Sequence, residues 1–239
     1  MDKNYWQNYY QTHLSTKEQK QSNFASFCME RFFPAGANLI ELGCGNGRDS
    51  VYFAKNGIKT LGIDQCDNMI DFLNSNHGGE NLSFKSGDFT ALPNARELIQ
   101  NDKFDIVYSR FTLHSINAKQ QENLFAWIRA NLKASGILAI ECRGHKNSLY
   151  GRGVMVEEDA FIYENHYRRF VNFENLCEML EKDYEMLFAK EDRGFAPFKN
   201  EDDFFARVVA VYGGGESSTY FLVFVIFTTL DYRGVSYAA

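Results

Sequence analysis

Short apolar runs alternate with amphipathic stretches along the first 142 residues of the chain. Four segments carry apolar residues at helical spacing: Phe24–Phe32, Arg48–Asn56, Asp67–Leu73 and the stripe Leu124, Ile128 and Leu132. Continuous apolar runs between these segments predict five strands: Leu39–Leu42, Ile58–Asp64, Leu82–Phe89, Phe104–Ser109 and Ile137–Cys142. Strands that alternate with helices predict an α/β fold with a doubly wound parallel sheet. Ligands of such sheets bind beyond the carboxyl ends of the strands, where the strand order reverses.

The periodicity changes after Cys142. Arg143–Phe170 shows no clear repeat, and a segment of that length without secondary structure is usually a functional loop or disordered. Helical spacing returns over Asn172–Glu181, and two final strands are predicted at Tyr184–Lys190 and Phe204–Tyr212. We expect one domain over residues 1–212, with a helical cap at 1–33, a lid or acceptor-binding insertion at 143–171, and a tail of unknown role at 213–239.

The tail contains one strongly apolar run, Tyr220–Leu230. This run is shorter than the roughly 20 residues that a membrane-spanning helix needs, so we expect no membrane span. A buried strand, an association surface and the product of a shifted reading frame all stay open as explanations of the run.

Composition narrows the possible partners. The 239 residues carry a net charge of -6, which gives no electrostatic reason to expect nucleic acid or an anionic membrane as a partner. The five cysteines are widely spaced and form no Cys-x-x-Cys pair, so neither a metal site nor a disulfide framework is predicted. Reduced thiols and a polar, aromatic N-terminus indicate a cytoplasmic protein.

Three glycines follow the first predicted strand at every second position: Gly43, Gly45 and Gly47. A triphosphate-binding P-loop needs Lys and Ser or Thr after its last glycine, but here Arg48 and Asp49 follow. Arg48 also stands where the dinucleotide fingerprint has its third small residue. A tight turn without a ligand is the simplest alternative. Three glycines cost chain entropy, however, which favours a loop that lets a ligand approach the backbone.

The stretch Glu41-Leu-Gly43-Cys-Gly45-Asn-Gly47 resembles motif I of the class I S-adenosylmethionine-dependent methyltransferases, and "GCGNGRDSVYFAKNG" is similar to their tellurite-resistance-protein-like branch. The resemblance covers roughly residues 5–212. It implies a Rossmann-like sheet that is mostly parallel with an antiparallel last strand, and S-adenosylmethionine as the cofactor. The cofactor-binding residues that it implies are Glu41, Gly43, Cys44, Gly45, Gly47, Asp64, Gln65, Asp88, Phe89 and Ser109, with Tyr5 and Trp6 closing the pocket.

Within that resemblance, the acidic residues have distinct implied roles. Asp64 ends the second strand, where a carboxylate can accept both ribose hydroxyls, as it also does in NAD enzymes. The family places an acidic residue after the third strand against the adenine amino group, which corresponds to Asp88, while Phe89 covers the ring. Each of these side chains could instead serve as a helix cap or as part of the core.

The methyl acceptor is expected next to "YSRFTLHSI", after the fourth strand. His114 is the candidate base because its ordinary pKa lies near neutrality, and Arg110 is the second candidate catalytic residue. A histidine at this position can also simply cap or pack. The segment after the fifth strand is locally basic, and its arginines are suited to carboxylate or phosphate. The predicted acceptor-binding residues are Arg143, Tyr150, Tyr167, Arg168 and Arg169.

We therefore predict methyl transfer to a small anionic metabolite. "HYRRF" and "RGFAPFKNED" resemble family members that are encoded with surface-polysaccharide and sugar-phosphate tailoring enzymes. The favoured acceptor is an oxygen of a sugar, a sugar phosphate or a phosphorylated or phosphoramidate intermediate. The alternatives are a small-molecule N-methyltransferase, a tellurite- or thiol-detoxifying methyltransferase, an NAD-binding oxidoreductase and a non-catalytic cofactor-binding module. The oligomeric state stays open.

Overall fold

The computed structural model describes residues 19–93, 95–98, 103–198 and 202–213. Its helices are α1 (Asn23–Arg31), α2 (Arg48–Lys55), α3 (Asp67–His77), α4 (Ala95–Leu98), α5 (Ala118–Asn131) and α6 (Phe173–Leu180). Its strands are β1 (Asn38–Leu42), β2 (Lys59–Asp64), β3 (Leu82–Ser86), β4 (Phe104–Arg110), β5 (Leu132–Cys142), β6 (Val154–Glu157), β7 (Ala160–Tyr163), β8 (His166–Arg169), β9 (Tyr184–Asp192) and β10 (Phe205–Tyr212). Tyr5, Trp6 and the apolar run of the tail lie outside the described residues.

Seven strands form one sheet in the order β3-β2-β1-β4-β5-β10-β9. The first five strands of this order are parallel to their neighbours. β10 runs antiparallel to both β5 and β9, which places one reversed strand inside the second half of the sheet. The predicted Rossmann-like doubly wound sheet, mostly parallel with an antiparallel last strand, is confirmed. The strand order reverses between β1 and β4, so the crevice for a ligand is expected beyond their carboxyl ends.

Both faces of the sheet are covered because alternate strand residues point to opposite sides. On one face, Ile40 and Val107 pack in a cluster with Leu124 and Ile128 of α5. On the other face, their chain neighbours Leu39 and Ile106 pack in a second cluster with α1 and α2. The continuous apolar runs of the sequence therefore belong to strands that are buried on both faces. The shared edge at the carboxyl ends is left for a ligand.

The segment 143–170 contains three short strands where the sequence showed no periodicity. β6, β7 and β8 form a separate antiparallel sheet in that order. All four residues of β6 are exposed, so the strand has no buried face to produce an alternating pattern. The sequence was therefore uninformative here, and the expectation of a segment without secondary structure was wrong. Whether this small sheet acts as a lid stays a prediction.

Among the described residues, no helix is long and apolar enough to cross a bilayer.

Candidate functional site

The glycine loop joins β1 to α2 in a left-handed conformation. The φ angles are 73° at Gly43, 53° at Gly45 and 73° at Gly47, a region that costs residues with a Cβ and that glycine adopts freely. The backbone N–H groups of Gly43 and Cys44 donate to the carbonyl of Ile63, at 2.8 and 2.9 Å. The loop is therefore bent back onto the end of β2, and its backbone faces the crevice.

Gly43 is needed because a side chain approaches it closely. A Cβ atom at this position would lie 2.5 Å from Cγ2 of Thr112 and 3.6 Å from the ring of Phe89. Contacts of 2.5 Å do not occur between such atoms without a shift of one partner. The missing side chain therefore lets the segment after β4 close over the loop.

Asp64 connects the loop to the end of β2. Its Oδ2 accepts from the N–H of Gly45 at 2.9 Å, and its Oδ1 accepts from the N–H of Cys66 at 3.0 Å. Burial raises the pKa of Asp64, and the backbone hydrogen bonds from Gly45, Cys66 and Gln65 oppose the rise. The carboxylate is thus oriented by two backbone donors, which leaves its remaining lone pairs available to hydroxyl donors of a ligand.

Gln65 places a polar group without a protein partner beside this carboxylate. Its side chain is 9 % exposed, and its Nε2 has no hydrogen-bond partner among the described residues. A buried amide donor without an acceptor costs free energy, so such groups are normally paired in the functional state. The position indicates that a ligand supplies the acceptor.

Glu41 is buried at the base of the crevice and accepts a short hydrogen bond from Ser50. Burial raises the pKa of Glu41 well above its usual range, the nearby Asp49 adds to the rise, and the Ser50 hydrogen bond opposes it. Asp49 itself is held by α1, because the N–H and Oγ of Ser22 donate to its two oxygens at 2.7 Å each. A cationic ligand group would relieve the crowding of these two carboxyl groups.

A cavity of about 600 Å³ opens at the carboxyl ends of the central strands. Glu41, Gly43, Gly45, Asp64 and Gln65 line one end. Of the other predicted cofactor residues, Cys44 and Phe89 also line the cavity, whereas Gly47, Asp88 and Ser109 do not. The second end is lined by Arg110, Phe111, Thr112, Ser115, Arg143, Ser148, Leu149, Ala196, Pro197, Phe198, Asp203 and Phe205. The cavity therefore joins the glycine loop to a region that contains two arginines.

The three predicted cofactor residues outside the lining have other contacts. Asp88 is exposed, and its Oδ1 accepts from the N–H and Oγ1 of Thr90 at 2.9 and 2.8 Å. Ser109 forms a short hydroxyl–hydroxyl hydrogen bond with Thr112. A Cβ atom on Gly47 would lie 2.8 Å from Leu73, so this glycine lets α3 pack against the loop. Their predicted contacts with the cofactor stay predictions.

Arginine and phenylalanine side chains form a continuous series of contacts at the second end of the cavity. The guanidinium carbon of Arg110 lies 3.8 Å from the ring centre of Phe111. Phe111 stacks on Phe205 at 5.0 Å between centroids, and the guanidinium carbon of Arg143 lies 4.9 Å from the ring centre of Phe205. Each cation thus rests on an aromatic face that fixes its position and excludes water from one side. Guanidinium groups are suited to carboxylate and phosphate, and they stand here beside two carboxylates, since Glu141 pairs with Arg110 and Asp203 also lines the cavity.

Phe205 reaches this end because β10 is antiparallel. The first residues of β10 lie beside the last residues of β5, with Ala206 opposite Cys142. The start of β10 therefore shares an edge with the ends of β4 and β5. The sequence analysis selected residues that follow strands, so it did not indicate Phe205. Phe111 and Thr112 lie within the stretch "YSRFTLHSI" that was expected beside the acceptor, but neither was chosen as a site residue. The antiparallel last strand that the resemblance implied was a signal that could have indicated Phe205.

Glu141 orients the arginine of β4. Its Oε1 accepts from Nε of Arg110 at 2.8 Å, and its Oε2 accepts from Nε of Arg207 at 2.6 Å. Glu141 is 1 % exposed. Burial raises the pKa of Glu141, and the two arginines oppose that rise. Glu141 was not predicted from the sequence, because no local pattern shows that a glutamate within an apolar strand pairs with arginines of two neighbouring strands.

His114 lies in a short 3-10 turn, Leu113–Ser115, behind the wall of the cavity rather than in its lining. The side chain is buried, and its Nδ1 has no hydrogen-bond partner among the described residues. Burial lowers the pKa of His114 well below its usual range, and Arg143, His166, Arg168 and Arg110 lower it further. The imidazole is therefore neutral near pH 7, which is the form that a base requires. Its catalytic role stays a prediction.

Four predicted acceptor residues lie outside the cavity lining, while Arg143 lies within it. Nε of Arg169 donates to the carbonyl of Ile116 at 2.9 Å, which ties β8 to the 3-10 turn. Arg168 donates to the carbonyl of Tyr163 at 3.1 Å. Tyr150 donates to Asp159 at 2.8 Å, and burial raises the pKa of Tyr167 to about 12. Of the five predicted acceptor residues, only Arg143 is placed to contact a ligand in this cavity.

The first end of the cavity fits S-adenosylmethionine. Gly43, Cys44 and Gly45 of the glycine loop belong to the lining, Asp64 and Gln65 provide an acceptor and a donor, and Glu41 provides a carboxyl group. Together these groups suit the amino-acid and ribose portions of the cofactor, which carry an ammonium, a carboxylate and hydroxyls. No cluster of three or more His, Cys, Asp or Glu side chains suited to a metal ion occurs in the described part of the chain.

Residues 39–136 match the family model described as a methyltransferase domain. The chain is 34 % identical over 118 residues to juvenile hormone acid O-methyltransferase from Bombyx mori. This match covers 46 % of this chain and 39 % of that protein. It is 29 % identical over 106 residues to phosphoethanolamine N-methyltransferase from Plasmodium falciparum, which covers 44 % of this chain and 38 % of that protein. The chain thus matches about two fifths of the length of these relatives.

The fold is shared with a solved TehB-like SAM-dependent methyltransferase from Corynebacterium glutamicum. The TM-score is 0.59 at 22 % sequence identity, and the match covers 87 % of this chain and 98 % of that one. This likeness shows the class I fold, within which residues 39–136 match a methyltransferase domain. S-Adenosylmethionine is the cofactor that the fold and the site support.

Proposed function

We propose that the protein transfers a methyl group from S-adenosylmethionine to a small anionic acceptor. The observation that carries this proposal is the cavity that joins the glycine loop to Arg110 and Arg143. S-Adenosylmethionine, when bound, supplies an electrophilic methyl group. The protein then has to hold the two reactants in line and exclude water between them.

The first end of the cavity orients the cofactor. The glycine loop brings backbone groups close to the amino-acid portion, Glu41 balances a positive charge, and Asp64 accepts from the ribose hydroxyls. Gln65 donates through the Nε2 that has no partner among the described residues. Phe89 supplies an apolar wall for the adenine ring of the cofactor.

The second end holds the acceptor by its negative charge. Arg110 and Arg143 are each fixed on an aromatic ring, which limits the directions in which they can donate. A carboxylate or phosphate oxygen carries no proton that must be removed before it accepts a methyl group. An acceptor hydroxyl does carry such a proton, and the neutral imidazole of His114 is the group proposed to take it.

The favoured acceptor is an oxygen of a sugar, a sugar phosphate or another phosphorylated intermediate of surface-polysaccharide modification. Two relatives support an anionic acceptor, because one is named for an acid and the other for phosphoethanolamine. One of these is an O- and the other an N-methyltransferase, so a nitrogen acceptor is the second candidate. The tellurite- or thiol-directed activity stays an alternative.

The test is a methyl-transfer screen with isotopically labelled S-adenosylmethionine against phosphorylated, carboxylated and neutral sugars and amines. We expect turnover with anionic acceptors only. Arg143→Gln should raise the acceptor KM about tenfold, the size of one lost charge-assisted hydrogen bond, without changing cofactor affinity. Arg168→Gln is the matched control, since Arg168 does not line the cavity. A rise in KM for Arg168→Gln alone would move the acceptor site to β8, and turnover of neutral acceptors only would contradict the proposal.

A further inference from the structure

Three ionic side chains stand opposite one another on three neighbouring strands. Arg110 of β4 pairs in register with Glu141 of β5, and Glu141 pairs in register with Arg207 of β10. The central carboxylate uses one oxygen for each guanidinium. Of these three residues, only Arg110 lines the cavity.

Arg207 extends this row to a second wall of the cavity. Its Nη2 donates to the carbonyl of Phe195 at 2.6 Å, and its guanidinium carbon lies 4.3 Å from the ring centre of Phe195. The next three residues, Ala196, Pro197 and Phe198, line the second end of the cavity. One buried carboxylate therefore stands behind both the cavity arginine and the wall segment 196–198.

A purely stabilising role explains this arrangement poorly. Removing a carboxylate and two guanidiniums from water is costly, and apolar side chains of similar volume often serve a buried position as well or better. A carboxylate shared by two guanidiniums does fix direction, because each Nε–H donates to one defined oxygen. The same two contacts restrain the head of Arg110 and the backbone of the wall.

We propose that Glu141 and Arg207 are positioning residues, which set the affinity for the anionic acceptor by aligning Arg110 with the wall at 196–198 without touching the acceptor. This inference rests on the proposed function, because it assumes that the second end of the cavity binds the acceptor anion. If Glu141 and Arg207 have this role, the affinity for the acceptor depends on the length of their side chains, although neither side chain lines the cavity.

The variants for the test conserve charge, because removal of the Glu141 charge would itself strengthen the field that attracts an anion. Glu141→Asp keeps the charge but shortens the side chain by one methylene, so that it cannot reach both Nε atoms. Arg207→Lys keeps a positive charge for Glu141 but has one nitrogen in place of the Nε and Nη2 pair that reaches both Glu141 and Phe195. Ile128→Val is the control, since it truncates the core on α5 away from the cavity.

The measurement is calorimetric titration of inorganic phosphate into the full chain saturated with S-adenosylhomocysteine, together with the affinity for S-adenosylhomocysteine and the melting temperature. We expect phosphate binding to weaken about fivefold or more in Glu141→Asp and Arg207→Lys, as for one weakened charge-assisted hydrogen bond. S-Adenosylhomocysteine affinity should stay within about twofold in both variants, since that ligand occupies the other end. Ile128→Val should lower the melting temperature alone.

The outcomes separate the two proposals. Phosphate binding equal to wild type in Arg207→Lys, or in a folded Glu141→Asp, would overturn the positioning role and leave the proposed function intact. Equal loss of both ligands would also overturn it, because that result indicates general unfolding of the site. A wild-type protein that binds S-adenosylhomocysteine but no phosphate would overturn the inference together with the anionic acceptor.

Discussion

The two ends of the cavity are built in different ways. The cofactor end comes mainly from two short stretches, Glu41–Asn46 and Asp64–Gln65, at the ends of the adjacent parallel strands β1 and β2, and the glycine loop is part of its lining. The acceptor end comes from side chains that are far apart in the chain, among them Arg110, Arg143 and Phe205. The first end contains the buried carboxyl groups of Glu41 and Asp64, whereas the second contains the guanidiniums of Arg110 and Arg143 beside the carboxylate of Asp203.

This difference teaches which changes each end tolerates. A surface made of glycine backbone in a left-handed conformation is disturbed by any added side chain, because residues with a Cβ adopt this conformation only at a cost. A surface made of side chains can be altered one residue at a time while the fold is kept. Substitutions should therefore separate cofactor binding from acceptor binding almost completely.

The largest effect is expected at Gly43. Gly43→Ala places a Cβ against Thr112 at 2.5 Å, and overpacking of this kind should weaken S-adenosylhomocysteine binding about 10- to 100-fold. Gly57→Ala is the matched control, because Gly57 has a φ of 82° but no atom within 4 Å of the added carbon. Both variants carry similar backbone strain, and only Gly43→Ala adds the clash with Thr112, so a lower melting temperature together with weaker binding is expected in Gly43→Ala and wild-type affinity in Gly57→Ala. Equal affinities in calorimetry would mean that the loop does not bind the cofactor closely.

The next effect is expected at Asp64. Asp64→Asn replaces one of the two carboxylate oxygens that accept from the N–H groups of Gly45 and Cys66. It should weaken S-adenosylhomocysteine binding about tenfold. Asp71→Asn, on the exposed face of α3, removes the same charge and should change little. Asp88→Asn adds a third comparison in the same titration. If Asp88→Asn lost as much S-adenosylhomocysteine affinity as Asp64→Asn, the adenine contact that the resemblance implies would be supported. The cofactor site would then extend beyond the residues that line the cavity.

A smaller effect is expected at Phe205, and at the opposite end. Phe205→Leu removes the ring on which both Phe111 and Arg143 rest, so phosphate affinity should fall about threefold, as for one lost cation–π contact. Cofactor affinity should not change. Phe125→Leu, in the core on α5 and outside the cavity lining, is the control. If Phe205→Leu weakened S-adenosylhomocysteine instead, the division of the cavity into two ends would fail.

The smallest effect concerns His114 and stability. Its pKa is lowered in the folded protein, so the unfolded chain binds the proton more readily and His114 lowers stability as pH falls below about 6.5. His114→Gln should remove a slope of at most about 1.4 kcal/mol per pH unit from denaturant unfolding between about pH 5 and 6.5. Glu41, whose pKa is raised, acts in the opposite direction, so only the difference between wild type and variant is informative. If the unfolding free energy of wild type and of His114→Gln depended on pH with the same slope, His114 would be solvated in the folded protein and would take up a proton there as readily as in the unfolded chain.

The same contrast explains how much could be predicted from the sequence. The strands of the main sheet and the glycine loop were predictable because their signals are local: apolar runs, closely spaced glycines and an acidic residue at the end of a strand. The pairing of Arg110 with Glu141, and the place of Phe205 beside Arg143, depend on strand order and on the direction of β10. No local pattern carries that information. The sheet of β6–β8 was missed because its first strand has no buried face.

His114 and Arg169 illustrate a second limit. Residue type and chain position made both attractive as site residues, and both are buried close to the 3-10 turn. Whether a polar side chain faces a cavity or the layer behind it depends on the rotation of a short turn and on the partner that happens to be nearest. Arg169 meets the carbonyl of Ile116, and His114 meets the ring of Phe111 at 5.5 Å.

The central claim is that the glycine-loop end of the cavity binds S-adenosylmethionine. The most direct measurement is calorimetric titration of the wild-type chain with S-adenosylhomocysteine and, separately, with NADH. Because Arg48 replaces the small residue of the dinucleotide pattern and the cavity continues into the acceptor end, we predict saturable binding of S-adenosylhomocysteine at one site and no binding of NADH. Binding of NADH without binding of S-adenosylhomocysteine would contradict the account.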